Sequence, residues 1–207
     1  MPTPTVPALV PAMRDDLALE LANTRFWRGT ETPTEGLHTF ADVIDWCGTT
    51  GAQRPDALRR TKAWSREHPG AAADAFKQTI ELREALQRIL AATAGARQPA
   101  GADLDRLNRA LAAAPARRTL GRIDGAYAWQ VEQLKPTIPH LLAAVLWSAG
   151  DLLTEPTLKR VRQCGNEKCC WLFLDTSKTG NRRWCSMSMC GNRAKAQRHY
   201  HRHRADG

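Results

Sequence analysis

The chain has 207 residues, 43% of them hydrophobic, and a net charge of +9. That composition suits one medium domain, or one domain with a small appendage. No run approaches 18 consecutive apolar residues, so a membrane-spanning helix is excluded from the expectations.

The charge is unevenly placed. Residues 159–207 hold twelve Lys and Arg against Glu167, Asp175 and Asp206, which accounts for the whole excess. Residues 1–158 are therefore neutral. A single-sign field of this kind attracts a polyanion, nucleic acid before anionic membrane. The opening "MPTPTVPALVPAMRDDLALEL" has neither the basic region nor the long apolar core of a secretory signal. Its prolines and threonines predict a flexible lead-in over residues 1–12. A reducing, cytoplasmic setting is expected, where clustered cysteines hold metal more often than they form disulfides.

Along the chain, "LALELANT" (17–24) alternates Leu17, Leu19 and Leu21, a strand or helix with one buried face. "FWRGTETPTEG" reads as a loop. Thr39 followed three residues later by Asp42 marks a helix start in "TFADVIDWC". Pro55 suits the first turn of a second helix reaching about Glu67. Residues 70–93 form the clearest helix, with Phe76, Ile80, Leu82, Leu86 and Ile89 three and four apart. "GARQPAGA" breaks it. Asp103 caps or precedes a short helix through Leu104, Leu107 and Leu111. Asp124-Gly125 between alternating segments predicts a hairpin. Pro136 opens a last apolar helix to about Thr154. Five scattered tryptophans, Trp27, Trp46, Trp64, Trp129 and Trp147, read as core packing, and Cys47 as a core residue.

Five of the six cysteines lie between residues 164 and 190. Cys164-x4-Cys169 and Cys185-x4-Cys190 repeat one spacing, with fifteen residues between the pairs. Two such knuckles offer four thiolates to a tetrahedral Zn2+. Buried free thiols, a redox pair without a C-x-x-C, and an iron–sulfur cluster are the alternatives. Trp171 to Leu174 alternate as one strand, "DTSKTGN" turns, and "RRWC" returns as a second. A helix follows Cys185. Knuckle, hairpin and helix in that order describe a treble-clef-like module. So short a segment buries little apolar surface, so its order is expected to depend on the metal. Loss of a ligand such as Cys185 is expected to unfold the module and leave residues 1–158 folded.

"CGNEKC", "WLFLDTS" and "RRWCSMSMCGNRAK" together resemble the CGNR zinc-finger family over about residues 158–204. The resemblance implies one structural Zn2+ on Cys164, Cys169, Cys185 and Cys190. "LALELANTRFWRG" is similar to the opening of the ABATE type of domain, with Asn23-Thr24 its most recognisable part. Such domains are linked to stress-induced transcription regulators, so the resemblance implies a DNA-binding regulator. The expected organisation is a lead-in at 1–12, an ABATE-type domain at 13–157 and a CGNR-type finger at 158–207. The expected fold class is mainly α (α+β), a helical domain with a small β element followed by the finger.

A helix over residues 189–204 would gather Arg193, Lys195, Gln197, Arg198 and Arg202 on a broad cationic face, with Arg182 and Arg183 beside it. Such a helix fits the major groove of double-stranded DNA. His199 and His203 read as surface groups. In residues 1–158 no nucleotide-binding loop or nucleophile motif is present, so an enzyme is not expected. Asn23, Thr24 and Arg25 offer a small-anion site or, more simply, a helix-end turn. Arg83 reads first as a surface group paired with Glu84 or Glu81, with a ligand-facing buried charge as the alternative. The leading expectation is thus a zinc-dependent DNA-binding regulator, nucleoid-associated, with a small-molecule effector or protein partner at the helical domain and a possible homodimer. RNA or ribosome binding by the same finger, and an unrecognised enzyme domain tethered to nucleic acid, are the rivals.

Overall fold

Residues 8–10, 16–123, 125–131 and 134–196 are described by the computed structural model of the chain. The leucine-rich opening forms helix α1, Leu17–Ala22, and it is buried on two sides. Leu17, Ala18 and Leu21 enter the main core, whereas Leu19 and Ala22 enter a second one. The period of 3.6 explains this, because Leu17, Leu21 and Ala18 fall on one arc of the helix and Ala22 and Leu19 on the arc beside it.

The expected loop after α1 closes as a ribbon of two short antiparallel strands, β2 (Arg25–Phe26) and β3 (Thr34–Glu35). Helix α2, Phe40–Thr49, starts at a complete capping box. The Thr39 hydroxyl accepts from the Asp42 amide at 3.3 Å, and the Asp42 carboxylate accepts from the Thr39 amide at 2.8 Å. Helix α3, Pro55–Glu67, carries Pro55 in its first turn. Helix α4, Pro69–Ala94, is the spine, packed against α1, α2, α3 and the helix that follows it. That next helix, α5, spans Gly101–Ala113. Asp103 sits in its first turn and does not cap it; its carboxylate pairs with Arg88 at 2.6 Å.

Strands β4 (Thr119–Ile123) and β5 (Ala126–Val131) form the expected hairpin, with Ile123 opposite Ala126 and Gly125 at φ 85°. Asp124 lies outside the described residues. The far edge of β5 takes a third strand, β1 (Ala8–Val10), so part of the segment expected to be a flexible lead-in is paired. A free strand edge offers unpaired amides and carbonyls, and β1 satisfies them. The last apolar stretch is two helices, α6 (Ile138–Leu141) and α7 (Ala143–Thr154), turning at Leu142. Eight of the twelve residues of α7 are buried, as expected of a helix apolar on nearly every side. It passes through the main core beside Leu21, Ile44, Leu86 and Leu107. Trp147 is buried in that core, and Trp46, Trp64 and Trp129 pack against its margin; Trp27 is elsewhere. Among the described residues no helix is long and apolar enough to cross a membrane.

Candidate metal centre

After α7 a 3-10 turn, Pro156–Arg160, leads into β6 (Val161–Gln163), which pairs antiparallel with β7 (Leu172–Leu174). The hairpin is therefore built across the first knuckle, and the segment 182–185 expected to pair with β7 is not a strand. Asp175 explains why. Its carboxylate accepts from the Arg182 amide at 2.9 Å and from the Ser177 amide and hydroxyl at 2.9 and 2.6 Å, which curls the chain into a turn. The Ser177 hydroxyl, with those amides, holds the Asp175 carboxyl below its ordinary value. Asp175 thus grips the backbone of Arg182 and not its guanidinium. The second knuckle runs into a π-helical turn, Met187–Gly191, that continues as α-helix over 192–196.

The four expected ligands converge. The sulfurs of Cys164, Cys169, Cys185 and Cys190 all lie within 4.8 Å of one another. Cys169 to Cys185 and Cys185 to Cys190 measure 3.7 Å. Tetrahedral Zn–S bonds of about 2.3 Å place sulfurs about 3.8 Å apart, so the donor set fits one zinc ion. The carboxamide of Asn166 donates to the Cys190 sulfur at 3.7 Å, and the amide of Gly165 donates to the Arg183 carbonyl at 2.9 Å, tying one knuckle to the other. Cys170 stands apart, half-buried, its thiol donating to the Glu167 carbonyl at 3.0 Å.

The thiol chemistry agrees with a cation at the centre. Burial pushes the Cys169 thiol up to about 12, and the neighbouring Cys164 charge adds to this. Burial and the charges of Cys169 and Cys164 raise Cys185 likewise. Cys164 moves the other way: burial opposes ionisation, but the amides of Cys185 and Asn166 donate to its sulfur and lower it. Four thiolates cannot crowd one site without a compensating charge; Zn2+ supplies it and displaces the protons. Cys47, by contrast, is fully buried in the main core, where burial raises its thiol.

The ABATE profile, whose description reads "Putative stress-induced transcription regulator", matches residues 15–156, more than half of the chain. The chain belongs to the ABATE family. A CGNR zinc-finger profile matches residues 160–203, where the cysteine cluster lies, and one structural Zn2+ is its cofactor. The comparison with curated proteins gives no match.

In this ABATE protein the finger is fused to the helical domain. Leu19 and Ala22 of α1, Leu90 of α4 and Leu152 of α7 share a core with Val161 of β6 and Leu172 of β7. Asn23 sits at the end of α1 and meets Leu172 as a strand neighbour would. Its carboxamide donates to the Leu172 carbonyl at 2.7 Å and accepts from the Leu172 amide at 3.0 Å. Thr24 donates to the Leu21 carbonyl at 2.8 Å. Asn23 and Thr24 thus take protein partners where α1 ends, the simpler of the two roles expected of them. Gly29 comes closer still: a Cβ there would stand 1.8 Å from the Glu167 carbonyl oxygen. Only glycine lets the two backbones approach in this way. Replacing Asn23 by Ala is expected to cost about 2 kcal/mol, because the buried amide and carbonyl of Leu172 lose their partners. Urea unfolding followed by hydrogen exchange at β7 checks this; unchanged protection there would contradict it.

Arg83 is 1% exposed, not a surface group. Its guanidinium reaches both oxygens of Glu35, at 2.5 and 2.8 Å, and Oε1 of Glu84 at 2.8 Å. Arg28 takes Glu84 from the other side at 2.7 Å. The network fastens the β2–β3 ribbon, which carries Trp27 and Gly29, onto α4. The expected pairing with Glu84 is present, the one with Glu81 is not, and Glu81 pairs with Arg106 at 2.6 Å. Glu35 had no motif to mark it; Trp27 and Gly29 fall within "LALELANTRFWRG", but nothing local to that stretch pointed to their contacts with the finger.

Of the expected nucleic-acid contacts, Arg182 is bound internally. It donates to the carbonyls of Trp184, at 2.9 Å, and Cys185, and its guanidinium lies 4.6 Å from the Phe173 ring centre. Arg183, Arg193 and Lys195 are exposed on the finger. Gln197, Arg198 and Arg202, with His199 and His203, lie outside the described residues.

Proposed function

We propose that this chain is a zinc-dependent DNA-binding transcription regulator, acting in the cytoplasm at the nucleoid, with no catalytic activity of its own. The observation that carries the reading is the placement of charge. The entire +9 excess falls on residues 159–207, the segment that contains the four-cysteine cluster. Metal-ordered exposed arginines suit a phosphate backbone, and the helix beginning at 192–196 suits a groove. The family description supports regulation as the purpose. The helical domain, sharing a core with the finger, is the part through which a small-molecule effector or protein partner alters how the finger is presented. A homodimer would double the contacts.

The test is a titration of the zinc-loaded protein with a labelled 20-bp duplex between 50 and 200 mM salt. With six or more phosphates contacted, affinity is expected to fall by about a thousandfold across that range. A flat salt response, or stronger binding to structured RNA than to any duplex, would sink the reading.

A further inference from the structure

Where the helical domain meets the finger, a cleft of about 760 Å³ opens between Trp27 and Thr30 on one side and Gly165 to Lys168, Arg183, Trp184 and Arg193 on the other. Five arginines of the finger are described. Arg160, Arg162 and Arg182 donate to backbone carbonyls. Arg183 and Arg193 do not; among the described residues neither guanidinium has a hydrogen bond or an ion pair. Both instead lie over indole rings at this cleft: Arg193 is 4.6 Å from the Trp27 ring centre and Arg183 is 5.0 Å from that of Trp184. A guanidinium stacked by its face keeps its in-plane N–H groups for another partner, and that fork matches the paired oxygens of a phosphate. Lys168 adds a third cation, against the single carboxylate of Glu167.

Trp27 belongs to the helical domain, and its backbone is held at φ 54°. The left-handed region is strained for a bulky residue. The surrounding contacts hold it there: the ring packs on the cysteine cluster with Trp171 and Trp184, and the Arg193 guanidinium covers it.

We infer that this cleft is a phosphate-binding site shared by the two parts of the chain, with Arg183, Arg193 and Lys168 as its cations and Trp27 as the platform that sets Arg193. The inference rests on the nucleic-acid reading above for the source of the phosphate, a DNA backbone, and it adds the helical domain to the contact surface. A free phosphorylated ligand has the same chemistry and is the other source.

The test uses the full-length, zinc-loaded protein with arginine side-chain Nε signals assigned through Arg183→Lys and Arg193→Lys. Sodium pyrophosphate and a 20-bp duplex are the two probes. The duplex is expected to shift both signals. The Arg183→Gln/Arg193→Gln variant is expected to keep its zinc and bind the duplex about a hundredfold more weakly at 100 mM salt, with the salt slope reduced by about 2. Trp27→Leu, with every cation retained, is expected to lose about threefold. Shifts with pyrophosphate but no duplex binding would keep the site, assign it to a free ligand and sink the DNA reading. Duplex binding with both signals unmoved and the double variant unimpaired would overturn the cleft and leave the DNA reading standing. If neither probe moves the signals, the inference is overturned.

Discussion

Cys190→Ser is expected to strip the protein of its zinc. Cys190 is 1% exposed, and its sulfur is one corner of the four-sulfur cluster. A serine hydroxyl does not ionise near neutral pH, so three thiolates remain. Structural zinc contributes about 10–16 kcal/mol to folding in zinc-finger peptides, and most of that would be lost here. The finger's own core is little more than Cys164, Cys169, Phe173 and Cys190, too small to hold without metal. The sequence alone suggests that residues 1–158 would be untouched. The shared core argues otherwise: an unfolded finger uncovers Leu19, Leu90 and Leu152. Elemental analysis should fall from one zinc per chain to nearly none. Hydrogen-exchange protection should vanish over residues 158–196 and weaken in α1, while α7 around Leu146 stays protected. Full metal content in the variant would remove Cys190 from the ligand set.

Arg83→Met is expected to destabilise the protein by about 3 kcal/mol, the scale on which a buried ion pair loses one partner. Glu84 keeps Arg28, but Glu35 is left with no cation. Burial alone would raise the Glu35 carboxyl; the hydrogen bonds and charge of Arg83, with the amides of Leu37 and Gly36, lower it below its ordinary value. Glu84 is lowered in the same way, its burial outweighed by Arg28 and Arg83. A carboxylate whose folded value is depressed contributes stability above its unfolded value, and that stability is lost as pH falls through the folded value. The gap between wild type and Arg83→Met should therefore be full at pH 7 and shrink as pH drops below about 4. Urea titrations at pH 7 and pH 3.5 measure it. Arg83→Met with Glu35→Leu should recover most of the loss, since an apolar pair of similar size often replaces a buried ion pair. Equal stability of wild type and single variant at pH 7 would show that the network holds nothing.

The helices were legible because their signals are local. The Thr39 and Asp42 capping box, Pro55 in a first turn and the stripe from Phe76 to Ile89 all act within one or two turns of chain. The wrong strand partner for β7 arose from the same reasoning. "RRWC" follows a turn at the right distance, but Asp175 binds the Arg182 amide and takes the segment out of extended geometry. Arg83 was misplaced because charge predicts exposure, and the approach of Glu35 from 48 residues away, beside the neighbouring Glu84, makes its burial tolerable.

The sequence by itself marked the four cysteines that cluster, the order of the helices and the gathering of all net charge at one end. Each depends on residue type and short spacing, which survive in any arrangement of the parts. The tertiary structure alone decided that finger and helical domain are one body, that Asn23 serves as a backbone partner 149 residues away, and that Trp27 lies beneath Arg193. Those contacts depend on how whole surfaces fit, with Gly29 permitting a backbone approach that no other residue would allow. Shape complementarity is a sum over many distant side chains, and no single stretch of the chain carries it.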